Sequence, residues 1–571
     1  MFGLKVQTNL LGEQMVFKNY MRRFVTGLAL ATVLSGCDSG DIKIAPETTD
    51  ASTDNSTNNS NNVAAAEVAE NPCASYLNTA GQTVQGSYET PNCQYSAAFA
   101  DSGNNVKVDL TIPELDNDGA HLFEGSLFIG EAHANNAELS AAGIVEGGDG
   151  PQLTIEAGAT LAFVDNTKFM IINRGSTLFA VGTAAKPITI TSFSDINGTA
   201  TPQAVQQWGG IVINGFGVSN KCAYTGTRGE SGFTLVGECN VAAEGAEGLD
   251  ESYYGGANDS DTSGRLEYVR VKHTGAEVAN GDELNGISFG GVGSNTIVKN
   301  LQVYSTYDDG IEMFGGSVNF ENFVALYVND DSIDVDEGWN GTITNALVIQ
   351  GEKSGNRCVE ADGIGSYSSK DDAFIQDMFT RKLNSRPTIK NMTCIFSASD
   401  NPSHDPGAGL RLREGLWPTI ENSLVIGSFV APQTAKASDH WCIRIDDTVA
   451  SEGFAKGNAS VDGTTFACET KSSKSIAGID VSTWLVANET GVVFADITGG
   501  VNATTSTDTN LILLEGTPPV YSIDAATSTP VSGPINDRTY VGALSAGAVD
   551  WTAGWTYGIY VGARGEALWF E

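Results

Sequence analysis

Carboxylates and arginines recur at matched places in the middle of this chain, and their spacing is the first sign of chemistry. Glu312, Asp334, Glu360, Arg411 and Arg444 each sit between two apolar residues: Ile311/Met313, Ile333/Val335, Val359/Ala361, Leu410/Leu412 and Ile443/Ile445. In an extended strand the flanking residues face one side and the middle residue the other. Two positions further on lies a second row, Gly290, Phe314, Asp336, Asp362, Arg413 and Asp446. Stacked as neighbouring strands ~4.8 Å apart, these segments predict an outward patch of carboxylates beside arginines. Like charges that close raise each other's pKa or recruit a cation. Hard oxygens beside turn carbonyls suit Ca²⁺, which takes about six to eight oxygen ligands. The expected ligand-binding residues are Glu312, Asp334, Asp336, Glu360, Asp362, Arg411, Arg413, Arg444 and Asp446. Within that set, Glu312, Asp334, Glu360 and Arg411 are the catalytic candidates, although the expectation leans away from an enzyme. The plain alternative is a solvated acidic face with arginine–carboxylate rungs.

Other motifs carry less. Asp259, Asp261 and Ser263 open a D-x-D-x-S-G run like that of a calcium loop, without flanking helices, and residues 114–119 nearly repeat it. Asx-rich turns form such runs without metal. Residues 286–290 spell G-x-S-x-G, but a nucleophile elbow requires strand, turn and helix. His273, His404 and His440 have no partner visible in the sequence. Trp339, Trp417, Trp441 and Tyr367 are candidate sugar-stacking platforms, against a reading as packing residues.

These residues are positioned by a repeat. Apolar-x-Asn-x-x-apolar recurs at Asn300, Asn322, Asn345, Asn391 and Asn422, with Tyr268 in the place of Asn one unit earlier. The first three markers are 22 and 23 residues apart, and Asp308/Asp330, Asp309/Asp331 and Ile311/Ile333 keep the same offset of 22. A unit of ~22 residues, short β runs broken by Gly, Asn and Asp, is one coil of a parallel β-solenoid. A β-propeller blade needs ~40–50 residues. Asn at one turn per coil predicts a side-chain amide ladder. Residues 153–192 alternate in the same way, and 208–213 begin another coil. Residues 365–386 interrupt the rhythm directly after Glu360 and Asp362, so this insertion is expected to flank the patch.

The segments 308–341 and 540–556 resemble those of poorly characterised bacterial surface β-helix proteins. The repeat as a whole resembles the right-handed parallel β-helix of the pectin-lyase-like superfamily. The resemblance covers roughly 150–556 and implies an all-β fold and a surface location. In pectate lyases of that superfamily carboxylates hold Ca²⁺ and an arginine abstracts a proton, which would cast Arg411 as the base. The surroundings of Arg411, GAGLRLREG, carry no lyase signature.

Composition narrows the setting. The 571 residues carry 31 basic against 69 acidic side chains, a formal charge of −38. A nucleic-acid partner is therefore not expected. Residues 21–37, MRRFVTGLALATVLSGC, place two arginines before a short apolar run that ends in LSGC. This is similar to a bacterial lipobox, with Cys37 as the lipidated residue and Met21 as the alternative start. Eight further cysteines, Cys73, Cys93, Cys222, Cys239, Cys358, Cys394, Cys442 and Cys468, show no CxxC and are expected to form disulfides in an exported chain. Cys73–Cys93 and Cys222–Cys239, which close short loops, are the clearest pairs.

The expected organisation is a signal peptide at 1–36, a lipidated Cys37 and disordered tether over 37–70, and an N-terminal cap over 71–150. A parallel β-helix follows over 151–446, then a C-terminal cap over 447–571. The expected function is that of a lipid-anchored envelope protein, at the outer membrane or cell surface rather than the inner membrane. It would bind polysaccharide or an outer-membrane protein, with Ca²⁺ as the one cofactor to test. A Ca²⁺-dependent polysaccharide lyase or hydrolase and a structural coat component are the alternatives.

Overall fold

Each Asn marker is a bend made by a residue in the left-handed region. Backbone φ is 51° at Asn300, 64° at Asn322, 60° at Asn345, 57° at Asn391 and 49° at Asn422, and Tyr268 takes the same bend at 52°. Asn tolerates this region better than other residues with a Cβ. Its amide is used as well: Asn322 Nδ2 donates to Asn300 Oδ1 at 3.0 Å, Asn345 to Asn322 at 2.9 Å and Asn391 to Asn345 at 3.1 Å. The strands that carry these bends, Ile297–Tyr304, Asn319–Leu326, Thr342–Ile349 and Thr388–Ser397, pair in parallel from coil to coil. A computed structural model describes residues 71–571 except 245–251, 280–281, 398–405, 429–438, 469, 496–510, 514–520, 525–539 and 545–548. The leader, Met21, Cys37, the tether and His404 lie outside the described residues.

The coils form a right-handed parallel β-helix with two large sheets of eleven and eighteen strands. The eleven-stranded sheet positions the patch. In chain order its strands are β1 (Leu127–Ile129), β2 (Met170–Ile172), β3 (Ile211–Asn214), β4 (Ile287–Gly290), β5 (Ile311–Phe314), β6 (Ile333–Asp336), β7 (Arg357–Asp362), β8 (Ala408–Arg413), β9 (Trp441–Ile445), β10 (Thr470–Ile476) and β11 (Ile479–Asp480). The apolar pairs that fix the expected parity, Ile287/Phe289 through Ile443/Ile445, all lie in one continuous core and are at most 1% exposed.

All eight cysteines pair, as Cys73–Cys93, Cys222–Cys239, Cys358–Cys394 and Cys442–Cys468. The last two cross the core between the sheets. Parallel pairing starts before the expected boundary at 151, with Cys93 opposite His121, and continues past 446, where Thr465–Ala467 pairs with Val493–Ala495. Helices α1 (Asp372–Thr380), α2 (Thr448–Ala455) and α3 (Val481–Asn488) interrupt the β pattern. Val481, Trp484 and Leu485 of α3 join the core at the last coils and close its open end. This helix falls inside the region expected as the cap, 447–571, whereas the aromatic end of that region lies elsewhere. Trp555, Ile559, Leu568 and Phe570 cover outward apolar residues of the larger sheet, among them Val324, Leu326, Leu347 and Ile349. Gln302 grips the tail from both sides, donating to the Tyr557 carbonyl at 2.7 Å and accepting from its N–H at 2.8 Å.

Candidate functional site

The residues between the inward pairs stand in register on successive strands. Ser288 on β4 is opposite Glu312 on β5, which is opposite Asp334 on β6, then Glu360 on β7, Arg411 on β8 and Arg444 on β9. The second row runs from Gly290 to Phe314 and Asp336, and from Asp362 to Arg413. Both rows point away from the core, but they do not form a solvated face. Glu312 is 8% exposed, Glu360 5% and Asp362 9%. The rows are the floor of a trough whose walls come from distant segments.

One wall is the loop closed by Cys222–Cys239 and its return strand. Tyr254 lies over Gly290, where a Cβ would come within 2.6 Å of its ring, so only glycine admits it. Its hydroxyl donates to Glu337 Oε2 at 2.8 Å, as does Ser219 Oγ at 2.6 Å. The insertion at 365–386 continues this wall, its Ile375, Met378 and Phe379 clustering with Tyr224 of the loop. It is fastened by Asn220, whose Nδ2 donates to the carbonyls of Gly363 and Leu383 at 3.0 and 3.1 Å. Burial, together with Asp447 and Glu414, pushes the Tyr367 hydroxyl of this insertion up to about 12.

Charge is segregated along the floor. At the C-terminal end the arginines are consumed by carboxylates: Arg411 donates to Asp446 at 2.7 Å and to Glu360 at 3.1 Å, Arg413 pairs with Glu360 and Asp362, and Arg444 with Asp446. Burial opposes the charge on Arg411, yet Glu360 and Asp446 outweigh it and hold its pKa above the ordinary arginine value. At the other end, among the described residues, no lysine or arginine pairs with Asp309, Glu312 or Asp334. Oxygens of these three carboxylates lie within 4.8 Å of one another, and a second group, Asp308, Asp309 and Asp330, meets the same limit. Asn285 Nδ2 donates to Glu312 at 2.6 Å. Asp334 Oδ1 is buried with no hydrogen-bond partner. Burial first, and neighbouring carboxylates second, raise Asp309, Glu312, Asp334 and Asp336 well above the usual carboxylate range. Asp362 rises to about 7, because burial outweighs its pairing with Arg413.

The corner acids Asp309 and Asp331, whose role the repeat alone did not reveal, also tie coils together. Asp331 N donates to Asp309 Oδ1 at 2.9 Å, and Arg357 N to Asp331 Oδ1 at 2.7 Å. Their recurrence at an offset of 22 was the available signal.

The weaker candidates resolve differently. Asp259 is held by Arg228 at 2.6 and 2.7 Å, and Asp261 accepts from the N–H groups of Gly147 and Phe216 at 2.8 and 3.0 Å. Ser263 Oγ reaches only the Asn214 carbonyl at 3.4 Å. The expected calcium ligands at 259–263 are therefore committed to holding loops together. Trp339 and Trp441 are fully buried, and Trp417 stacks on Phe379 with centroids 4.5 Å apart, so none of the three offers a free platform. Ser288 lies on a strand, not an elbow. His273 and His440 are buried, each with Nδ1 bonded to a backbone carbonyl.

A family model described as a pectate-lyase like beta helix domain matches residues 132–556. Comparisons with curated proteins and with solved structures give no match.

Proposed function

The chain belongs to the pectate-lyase-like β-helix family, and on that premise we propose that it is an envelope-anchored binding protein whose trough recognises acidic polysaccharide through Ca²⁺. The observation that carries this reading is the Asp309–Glu312–Asp334 group: three carboxylates within 4.8 Å, unpaired with any described cation, one with a buried oxygen lacking a partner. Burying such charges uncompensated is prohibitive, so each must be protonated or share a cation. All donors are hard oxygens, which fits Ca²⁺ and excludes a thiophilic metal. A bound Ca²⁺ would supply charge for a ligand carboxylate. The chain's own residues do the rest: the carboxylates would hold the cation, and the partly exposed arginine end flanks them.

Binding is favoured over turnover by Arg411. A base must first lose its proton, and here two carboxylates hold that proton in place.

Calorimetric titration of Ca²⁺ into the protein tests the reading, with polygalacturonate added afterwards. Ca²⁺ should bind to the wild type and at least tenfold more weakly to Asp334→Asn, a loss of about 1.4 kcal/mol or more. Polygalacturonate should bind only with Ca²⁺ present and without growth of unsaturated-uronate absorbance. Growth of that absorbance, lost in Arg411→Ala, would make the protein a lyase instead. Self-assembly without a saturable ligand would favour a coat component.

A further inference from the structure

Beyond Cys239 the chain folds back on itself before it rejoins the coils. Val241–Ala242 pairs antiparallel with Tyr253–Tyr254, and the Ala243 N–H donates to the Ser252 carbonyl at 2.8 Å. This hairpin is seated on the floor of the trough. The row that carries Ser288 and Glu312 continues toward the N-terminus as Val212, Ile171 and Phe128. Buried Ala243 packs in one apolar cluster with those three residues, with Leu284 and with Phe314. Leu284 precedes Asn285, and Phe314 ends β5, the strand of Glu312. The next residue of the hairpin, Glu244, is exposed, and its carboxylate reaches the acid end. Asn285 Nδ2 stands 2.6 Å from Glu312 Oε2 and 3.3 Å from Glu244 Oε2, so the two carboxylates flank one donor. Through Oδ1 the same amide accepts from the Asp309 N–H at 3.2 Å. One buried side chain thus holds Glu312, the backbone of Asp309 and the hairpin glutamate together. Burial raises Glu312 most, and Glu244 comes next, ahead of Asp334 and Asp309.

We propose that Glu244 is a further ligand of the acid-end cation, delivered by the hairpin rather than by a coil. The proposal rests on the Ca²⁺ reading above. Asp309, Glu312 and Asp334 offer one oxygen each within the common limit, whereas Ca²⁺ takes about six to eight oxygens at roughly 2.3–2.6 Å. A carboxylate entering from beside Glu312 fills part of that shortfall. The rotatable side chain of an exposed glutamate closes the remaining distance while Ala243 keeps the hairpin in place. A cation held in this way ties the hairpin to the floor, so the ion sets the shape of the trough beside Glu312 as well as its charge.

Two measurements on the intact protein test the assignment: calorimetry with Ca²⁺, and the luminescence lifetime of bound Eu³⁺ in H₂O and D₂O, which counts the waters on the ion. Glu244→Ala should weaken Ca²⁺ binding about tenfold and add at least one water to bound Eu³⁺. Glu230→Ala, which removes an exposed acid of the neighbouring loop, should change neither. Glu244 is exposed, and Asn285 keeps its bond to Glu312 without it, so the variant retains the fold. If wild type binds Ca²⁺ but Glu244→Ala binds as tightly with the same water count, Glu244 is merely a partner of Asn285 and the proposal fails alone. Weaker binding with an unchanged water count would make Glu244 a remote charge and would overturn the assignment equally. If wild type binds neither ion, the cation reading fails and the proposal fails with it.

Discussion

At Asp334 everything turns on whether a proton or a cation neutralises the carboxylate. Asp309, Glu312, Asp331, Asp334 and Asp336 are all raised, by burial and then by one another, and Asp362 reaches about 7. A carboxyl raised on folding contributes stability that is complete below its unfolded pKa of about 4 and is lost as pH rises through the folded value. In EDTA the thermal midpoint should therefore fall between pH 5 and pH 8, and Ca²⁺ should raise it more at pH 8 than at pH 5. Asp195, Asp259 and Asp446 act in the opposite sense. Burial raises them, but basic partners outweigh it, so their contribution disappears only on acidification below about pH 4. A midpoint in EDTA that climbs from pH 5 to pH 8 would show the trough acids to be ordinary ionised groups. The register of Glu312, Asp334 and Glu360 was legible because each lies between two apolar side chains, and parity in a strand leaves no choice. Their burial was not legible, since the segments beside them, such as the one carrying Ser219 and Tyr254 onto Glu337, come from far away in sequence.

Among the elements, the asparagine bend has two separable functions, a left-handed backbone and an amide rung. Asn345 has φ of 60° and bonds to both Asn322 and Asn391. Asn345→Gly keeps the bend and loses the rung, so it should cost about 1–3 kcal/mol. Asn345→Ala loses both and should cost about 1–2 kcal/mol more. Comparing the denaturant midpoints of the two variants separates the contributions, and equal midpoints would mean that the bend carries no strain. The period and its ladder were readable because Asn repeats with its apolar neighbours. The insertion at 365–386 was readable as an interruption, but its helix was not. Asp371 caps α1, accepting from Phe374 N at 2.8 Å, and Ile375, Met378 and Phe379 bury one face against the Cys222–Cys239 loop. That packing partner lies more than a hundred residues upstream.

The whole molecule depends on where its ends go. Solenoids need an open edge covered, and the region expected to cover it, 447–571, does so through α3 while its aromatic end lies on the larger sheet. The outward positions under that end explain its place: Val324, Leu326, Leu347 and Ile349 are apolar where a solvated strand would be polar, and α3 already closes the edge. Removing residues 540–571 should leave the coils paired but expose that apolar strip. Increased binding of a hydrophobic dye and loss of solubility, with unchanged far-ultraviolet circular dichroism, would show it. A soluble, dye-silent truncation would mean that the strip is covered by something else.

The disulfides are unevenly distributed along the axis. Two clamp the C-terminal coils, one clasps the first coil and one a side loop, and no cysteine lies between 239 and 358. The coils that bear Asp309, Glu312 and Asp334 belong to this uncrosslinked stretch, so each is fastened only by non-covalent contacts. Under a pull along the coil axis, such as the proposed anchor and polymer ligand would exert together, this is the seam where the coils would part. A cation gripping β5 and β6 together would be a rivet across it, one whose presence follows the calcium of the surroundings.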